Sequence, residues 1–171
     1  MAIRSIRLLG DPVLRQPAAD VDAFDEALAD LVEDMWETMY HADGIGLAAP
    51  QIGISQRILV VDVRRSDEEA PGPLALVNPR VVTSSKENDK APEGCLSIPG
   101  LEDVVTRPTA IRVEAVDVEG RAVELEADGL FARALQHEID HLDGVLFIDR
   151  LSPLKRRLLL EKWKKLQDDD G

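Results

Sequence analysis

The sequence predicts an α+β fold, with small antiparallel or mixed sheets packed around a central helix and a further helix at the C-terminus. Three observations carry this reading. Phe24–Met39 and Leu130–Leu142 repeat apolar residues at helical spacing, whereas Arg57–Val63 and the pair 110–118 and 121–127 have strand character. The 171 residues suffice for one well-buried core and are too few to expect two. No internal repeat or linker divides them, so residues 1–171 are expected to form a single domain.

Residues 4–20 read as irregular, broken by Pro12 and Pro17. Asp22 is the expected cap of the first helix, whose buried stripe is Phe24, Leu28, Leu31, Val32, Met35, Trp36 and Met39. His41 ends that helix near its negative pole and has no partner at ligand spacing. Three glycines and a proline in Asp43–Gly53 exclude a regular helix there and would let backbone approach a ligand closely. Gln51 is the side chain with hydrogen-bonding capacity in that loop. Arg57–Val63 reads as a largely buried strand. Leu74–Val82 reads as a second, at an edge or bent at Asn78-Pro79, followed by a polar loop over Thr83–Lys90. Residues 110–118 and 121–127 alternate apolar and polar about Glu119-Gly120, a hairpin pattern. Val145–Ile148 is a short buried run, and Ser152-Pro153 opens a last helix over Leu154–Leu166.

Charge and composition exclude several classes of function. A net charge of −13 argues against DNA or RNA as the main substrate, because phosphate contacts need clustered cations. No apolar run approaches the roughly 20 residues needed to span a bilayer, and the N-terminus lacks a secretory pattern. One cysteine, Cys95, cannot form an internal disulfide and suits a reducing compartment, so a cytoplasmic protein is expected. Residues 155–165 depart from the acidic average, with six basic side chains and one acid.

The chemistry centres on Gln136-His137-Glu138-Ile139-Asp140-His141. On a helix His137 and His141 stand one turn apart on one face, about 6 Å along the axis, close enough to share one metal ion. Glu138 then points aside, able to reach a water on that metal without being a ligand. Leu130, Ala134, His137 and His141 make the site face, and Phe131, Leu135, Ile139 and Leu142 an apolar neighbour. Asp128 is the expected N-cap, with Asp143-Gly144 closing the helix. A catalytic site needs a third protein ligand and an open position. Downstream, Asp143, Asp149 and Glu161 fall at no familiar spacing, and Cys95, in Pro92–Pro99, is the remaining soft ligand. A closed structural site would need a fourth, and His41 alone is left. A His-Glu-x-x-His metallopeptidase is the rival reading, disfavoured because its third ligand ordinarily lies downstream.

Gly44–Gln51, Glu93–Ser97 and Gln136–Gly144 together resemble the three signature motifs of the peptide deformylases, in the family's order and at similar separations. The resemblance implies one peptide deformylase domain that removes the formyl group from N-terminal formylmethionine of new polypeptides. By the same resemblance Cys95, His137 and His141 bind the metal. It would be natively Fe(II), with Zn, Ni or Co as substitutes; the residues alone would suggest zinc. Glu138 would be the general acid–base, with the Gln51 amide and Leu96 N–H donating to the oxyanion. Glu93 and Asp140 would orient ligands or neighbouring arginines. Ile45, Leu130 and Ala134 are candidates for the methionine pocket, and Gly46 and Gly100 for pairing with the extended peptide. Two residues depart from the pattern: Glu102, where some relatives carry an arginine, and Arg133, where an apolar residue often lines the pocket. The basic helix 154–166 is either a solvated face, with Leu158, Leu159 and Trp163 packed inward, or a ribosome contact. Nothing in the sequence demands more than a monomer.

Overall fold

The computed structural model describes residues 2–170. Helix α1 spans Glu26–His41. Strands β1 (Gly46–Ala48) and β2 (Ile58–Val61) flank a 3₁₀ turn at Ala49–Ile52. Strands β3 (Leu74–Ser84), β4 (Asn88–Cys95), β5 (Ile98–Pro108), β6 (Ala110–Val116) and β7 (Ala122–Asp128) follow, then α2 (Gly129–Leu142), a 3₁₀ turn at Phe147–Arg150 and α3 (Pro153–Asp170). Five strands form an antiparallel sheet in the order β1-β2-β3-β6-β7, and β4 and β5 form a separate hairpin.

Helix α1 begins three residues later than Asp22 would place it. Asp25 is the cap, its carboxylate accepting the Leu28 N–H at 3.0 Å. Phe24 therefore lies before the helix and is 38% exposed rather than buried. The remaining stripe packs as expected: Leu28, Val32, Met35 and Met39 cover Leu47, Ile58, Val60 and Val77 on one face of the sheet. The other face, through Leu59, Val61, Leu76 and Val113, meets Leu135, Ile139 and Leu142 of α2. Covered on both faces, β2 reads as an unbroken apolar run without alternation. Each fully buried side chain of this kind contributes roughly 1.5–3 kcal/mol.

Strand β3 is central, not an edge, and it passes through Asn78-Pro79 by shifting register between Val77 and Arg80. Asn78 sits at φ 53°, and its amide accepts the Val21 N–H at 2.8 Å and donates to the Val21 carbonyl at 2.9 Å. The bulge absorbs the N–H that Pro79 lacks. The expected polar loop at 83–90 is instead the end of β3 and the start of β4, and β5 is a strand the apolar pattern did not announce. With Pro99, Gly100, Glu102 and Asp103 in its first half, β5 gains its order from pairing with β4 along nearly its whole length.

Helix α2 occupies the centre, buried continuously from Phe131 to Leu142. Asp128 holds the N-cap position, but its side chain makes no capping bond. A third cluster joins Leu14, Ile98, Val105, Leu146, Phe147 and Ile148 to Leu159 and Trp163 of α3, spaced four apart on one helix face. Leu158 points elsewhere and is 46% exposed, contrary to its expected packing. Among the described residues no helix is long and apolar enough to cross a membrane.

Candidate functional site

Three separate elements converge here. Cys95 ends β4, His137 and His141 lie on α2, and Gln51 lies in the 3₁₀ turn after β1. One ligand atom from each of Cys95, His137 and His141 lies within 4.8 Å of the other two. Cys95 Sγ stands 3.3 Å from His141 Nε2, and the two imidazole centroids are 5.0 Å apart. Ligand atoms around a tetrahedral ion are about 3.5 Å apart, so this set is close to ligating geometry as it stands. His137 Nδ1 bonds Glu93 Oε1 at 3.0 Å, which leaves its Nε2 to face the other two groups.

The electrostatics also fit a cation. Burial opposes charge on His137, yet Glu138, the Cys95 thiol and Glu93 carry its pKa well above the ordinary value. For His141, burial and the neighbouring positive charge of His137 push the other way, keeping the imidazole neutral with a lone pair free. Burial disfavours ionised Glu93, but His137 and Arg107 outweigh it and hold the carboxyl down at about 2.

Glu138 lies beside this group, buried, its pKa raised to about 7, first by burial and then by Glu93 and Asp140 against His137 and Arg107. Its Oε1 has no hydrogen-bond partner among the described residues, the state expected of a carboxylate kept for a transient proton. Gly46 makes room for it: a Cβ there would stand 2.5 Å from Glu138 Oε2. The Ala48 N–H holds Gln51 Oε1 at 2.9 Å, which turns Nε2 towards Ser97 Oγ (3.2 Å) and Cys95 Sγ (3.6 Å). The irregular N-terminal segment braces the same loops from behind, Arg7 N–H on the Gln51 carbonyl at 2.6 Å and Leu9 N–H on that of Ser97 at 2.9 Å.

These residues border a cleft of about 760 Å³. The site residues expected from the sequence line it except His141, which belongs to the ligand group, and Asp140, which borders a separate depression. Ile45, Leu130 and Ala134 supply apolar wall, while Gly46 and Gly100 lie on β1 and β5, with Gly100 at φ 84°. Strand β1 pairs only with β2 in its sheet, so it is a sheet edge. Glu102 and Arg133 also line the cleft. A larger depression of about 990 Å³, beside Arg57, Gln136 and Asp140, holds none of Cys95, His137 and His141.

Sequence reasoning expected arginines beside Glu93 and Asp140 but did not identify Arg107 or Arg150. Arg107 grips Glu93 with two donors, at 2.5 and 2.9 Å, and Asp140 with a third at 2.9 Å. Arg150 holds the other side of Asp140, at 2.8 and 3.1 Å. Ser97, wholly buried against Gln51, was likewise unassigned. An arginine before Pro108, far from the motifs in sequence, carries no signal that could have singled it out.

Comparison with known proteins points one way. The family model described as "Polypeptide deformylase" matches residues 3–157. A curated peptide deformylase of Rhizobium meliloti is 52% identical over 171 residues, covering 100% of this chain and 98% of its own length. That of Natranaerobius thermophilus is 51% identical over 156 residues, covering 91% and 97%. Among solved structures, peptide deformylase from Ehrlichia chaffeensis superposes with a TM-score of 0.91 at 40% identity, covering 99% of both chains. The Legionella pneumophila enzyme gives 0.89 at 46%, covering 99% of this chain and 98% of that one. The chain belongs to the polypeptide deformylase family.

Proposed function

We propose that residues 1–171 act as one deformylase domain, a metal-dependent hydrolase that removes the N-formyl group from the formylmethionine of newly made polypeptides and releases formate. The observation that carries the reading is the convergence of Cys95, His137 and His141 beside a buried, unpartnered Glu138 oxygen in a cleft with apolar walls. In this proposal Cys95, His137 and His141 hold one divalent ion, Fe(II) natively, with Zn, Ni or Co able to replace it. The soft thiolate with two imidazoles tolerates all of these. When bound, the ion supplies a Lewis acid that makes water nucleophilic near neutral pH.

The protein's own groups do the rest. Glu138 takes the proton of the attacking water and returns it to the departing amine, help typically worth about 10²–10⁴-fold. Gln51 Nε2, its carbonyl anchored on Ala48 and its amine turned towards Cys95, donates to the formyl oxygen as charge develops there. The Leu96 N–H is the second donor, and losing one such donor typically costs about 10²–10³ in rate. Ile45, Leu130 and Ala134 receive the methionine side chain, and the peptide extends beside Gly46 and Gly100 as a strand on the edge of β1.

A monomer in the cytoplasm, meeting its substrates at the ribosome through the basic helix 154–166, completes the proposal. Lys155, Arg156, Arg157, Lys162, Lys164 and Lys165 are all exposed on α3, beside exposed Leu154 and Leu158. Formate release from a formyl-Met tripeptide by anaerobically prepared, metal-analysed protein tests the chemistry. Formate in step with free methionyl amine, lost in Glu138→Ala and Cys95→Ser, is the expected result. Cleavage of internal peptide bonds without formate would refute it.

A further inference from the structure

Arg133 lies on α2 one turn before His137, with its side chain only 8% exposed. A buried guanidinium without partners costs several kcal/mol, so where its donors go identifies its task. Nη1 donates to Glu93 Oε2 at 2.6 Å and to the Val105 carbonyl at 2.9 Å. Nη2 donates to Asp89 Oδ1 at 2.6 Å and to the Asp89 carbonyl at 3.2 Å. All four bonds lead to the β4–β5 hairpin. One side chain therefore ties the helix bearing both histidines to the hairpin bearing Cys95.

Arg107 crosses the same gap in the other direction, from β5 to Asp140 on α2. The two guanidiniums meet on Glu93. Oε2 accepts from Arg107 Nε and Arg133 Nη1, while Oε1 accepts from Arg107 Nη2 and bonds His137 Nδ1. A carboxylate held this way cannot turn without breaking several charge-assisted bonds. The imidazole that leans on it is fixed in ring plane and tautomer.

We propose that Arg133 is a positioning residue of the metal centre, which fixes Glu93, and through it His137, and sets the distance from Cys95 to the histidine pair. The inference rests on Cys95, His137 and His141 being the ligands. Arg107 still grips Glu93 when Arg133 is removed, so metal affinity falls without being abolished. Arg133 also lines the cleft, but its bonds run into the hairpin, so the cleft gains its stem rather than a cation offered to substrate.

The test measures binding of Zn²⁺ and Co²⁺ alone to metal-free protein, by competition with a chromophoric chelator. The cobalt absorption spectrum and the histidine ¹⁵N tautomer signals are recorded alongside. Arg133→Met should raise the Zn²⁺ Kd about 10-fold, alter the cobalt bands and broaden the His137 Nδ1–H signature, with Arg133→Lys intermediate. Asp89→Ala, at a half-exposed position, cuts only the outer end of the brace and should raise Kd about threefold to fivefold. In Glu93→Gln protein, adding Arg133→Met should cost much less than it does alone. A Kd within twofold of wild type and an unchanged cobalt spectrum in Arg133→Met would overturn the proposal, even if its Tm fell. If that variant does not fold, Asp89→Ala decides by the same criterion. Wild-type protein that binds metal tightly yet releases no formate would sink the deformylase reading and leave the brace standing.

Discussion

Replacing Gly46 by alanine tests the catalytic geometry at a single atom. The added Cβ would stand 2.5 Å from Glu138 Oε2 and 3.0 Å from both Cδ and Cγ of the same side chain. Gly46 has no left-handed backbone to strain and lies within β1, so contact with Glu138 is the effect read in kcat, and any contact of the added methyl with the peptide is read in KM. Ordinary van der Waals separation requires the carboxylate to retreat by about 0.5–1 Å. Glu138 borders the cleft, so its carboxylate can yield only by turning away from the place it holds beside the ligand group. A displacement near 1 Å at a reacting group costs on the order of 10²-fold in rate, about 2.7 kcal/mol of transition-state stabilisation. The assay is kcat/KM on a formyl-Met tripeptide, with metal content measured on the same sample. Gly46→Ala should keep its metal, lose about 10²-fold in kcat, and lose nothing further when added to Glu138→Ala. A loss under about threefold, or an equal loss in the Glu138→Ala background, would refute the placement of Glu138 as the proton carrier.

Three further outcomes follow from local geometry. Ser97→Ala removes one partner of the Gln51 amine, worth about 1 kcal/mol. It should lower kcat about fivefold with KM unchanged; a pure KM effect would instead make Ser97 a substrate contact. Gly144 has φ 77°, and a Cβ there would meet the Arg15 carbonyl oxygen at 2.6 Å. Gly144→Ala should therefore destabilise by roughly 2–3 kcal/mol, lowering Tm by about 5–10 °C; a scan within 2 °C of wild type would contradict it. Arg64 beside Asp62, with help from Tyr40 and against burial, holds the Asp62 carboxyl well below the usual carboxylate range. A depressed folded-state pKa gives stability that is present above the unfolded value of about 3.9 and lost as pH falls below it. Urea denaturation should show wild type more stable than Asp62→Asn at pH 7, with the gap closing below about pH 4; a gap independent of pH would remove the ion pair as its cause.

Much of the molecule was legible in the chain because the deciding interactions are local. The His137–His141 spacing, the α1 stripe, the Glu119-Gly120 hairpin and the Ser152-Pro153 start each depend on residues a few positions apart, where helical or strand periodicity fixes who faces whom. The reading failed where distant partners decide. Strand β5 carries Pro99, Gly100, Glu102 and Asp103, which argue against order until β4 pairs with it. Asn78-Pro79 looks like an edge until Val21, 57 residues away, satisfies the Asn78 amide inside a central strand. Asp22 and Asp25 are both competent caps, and the helix starts where the Leu28 N–H reaches one of them.

The same division runs through the site. Sequence alone determined the family and which residues are expected as ligands and proton carrier, because a motif records chemistry that short spacing enforces. Tertiary structure alone decided that Arg107 and Arg133 converge on Glu93, that Ser97 aims Gln51, and that Gly46 borders Glu138. Buried groups must find partners wherever folding brings them, and these partners lie 14 to 92 residues apart along the chain, too far for any local pattern to record.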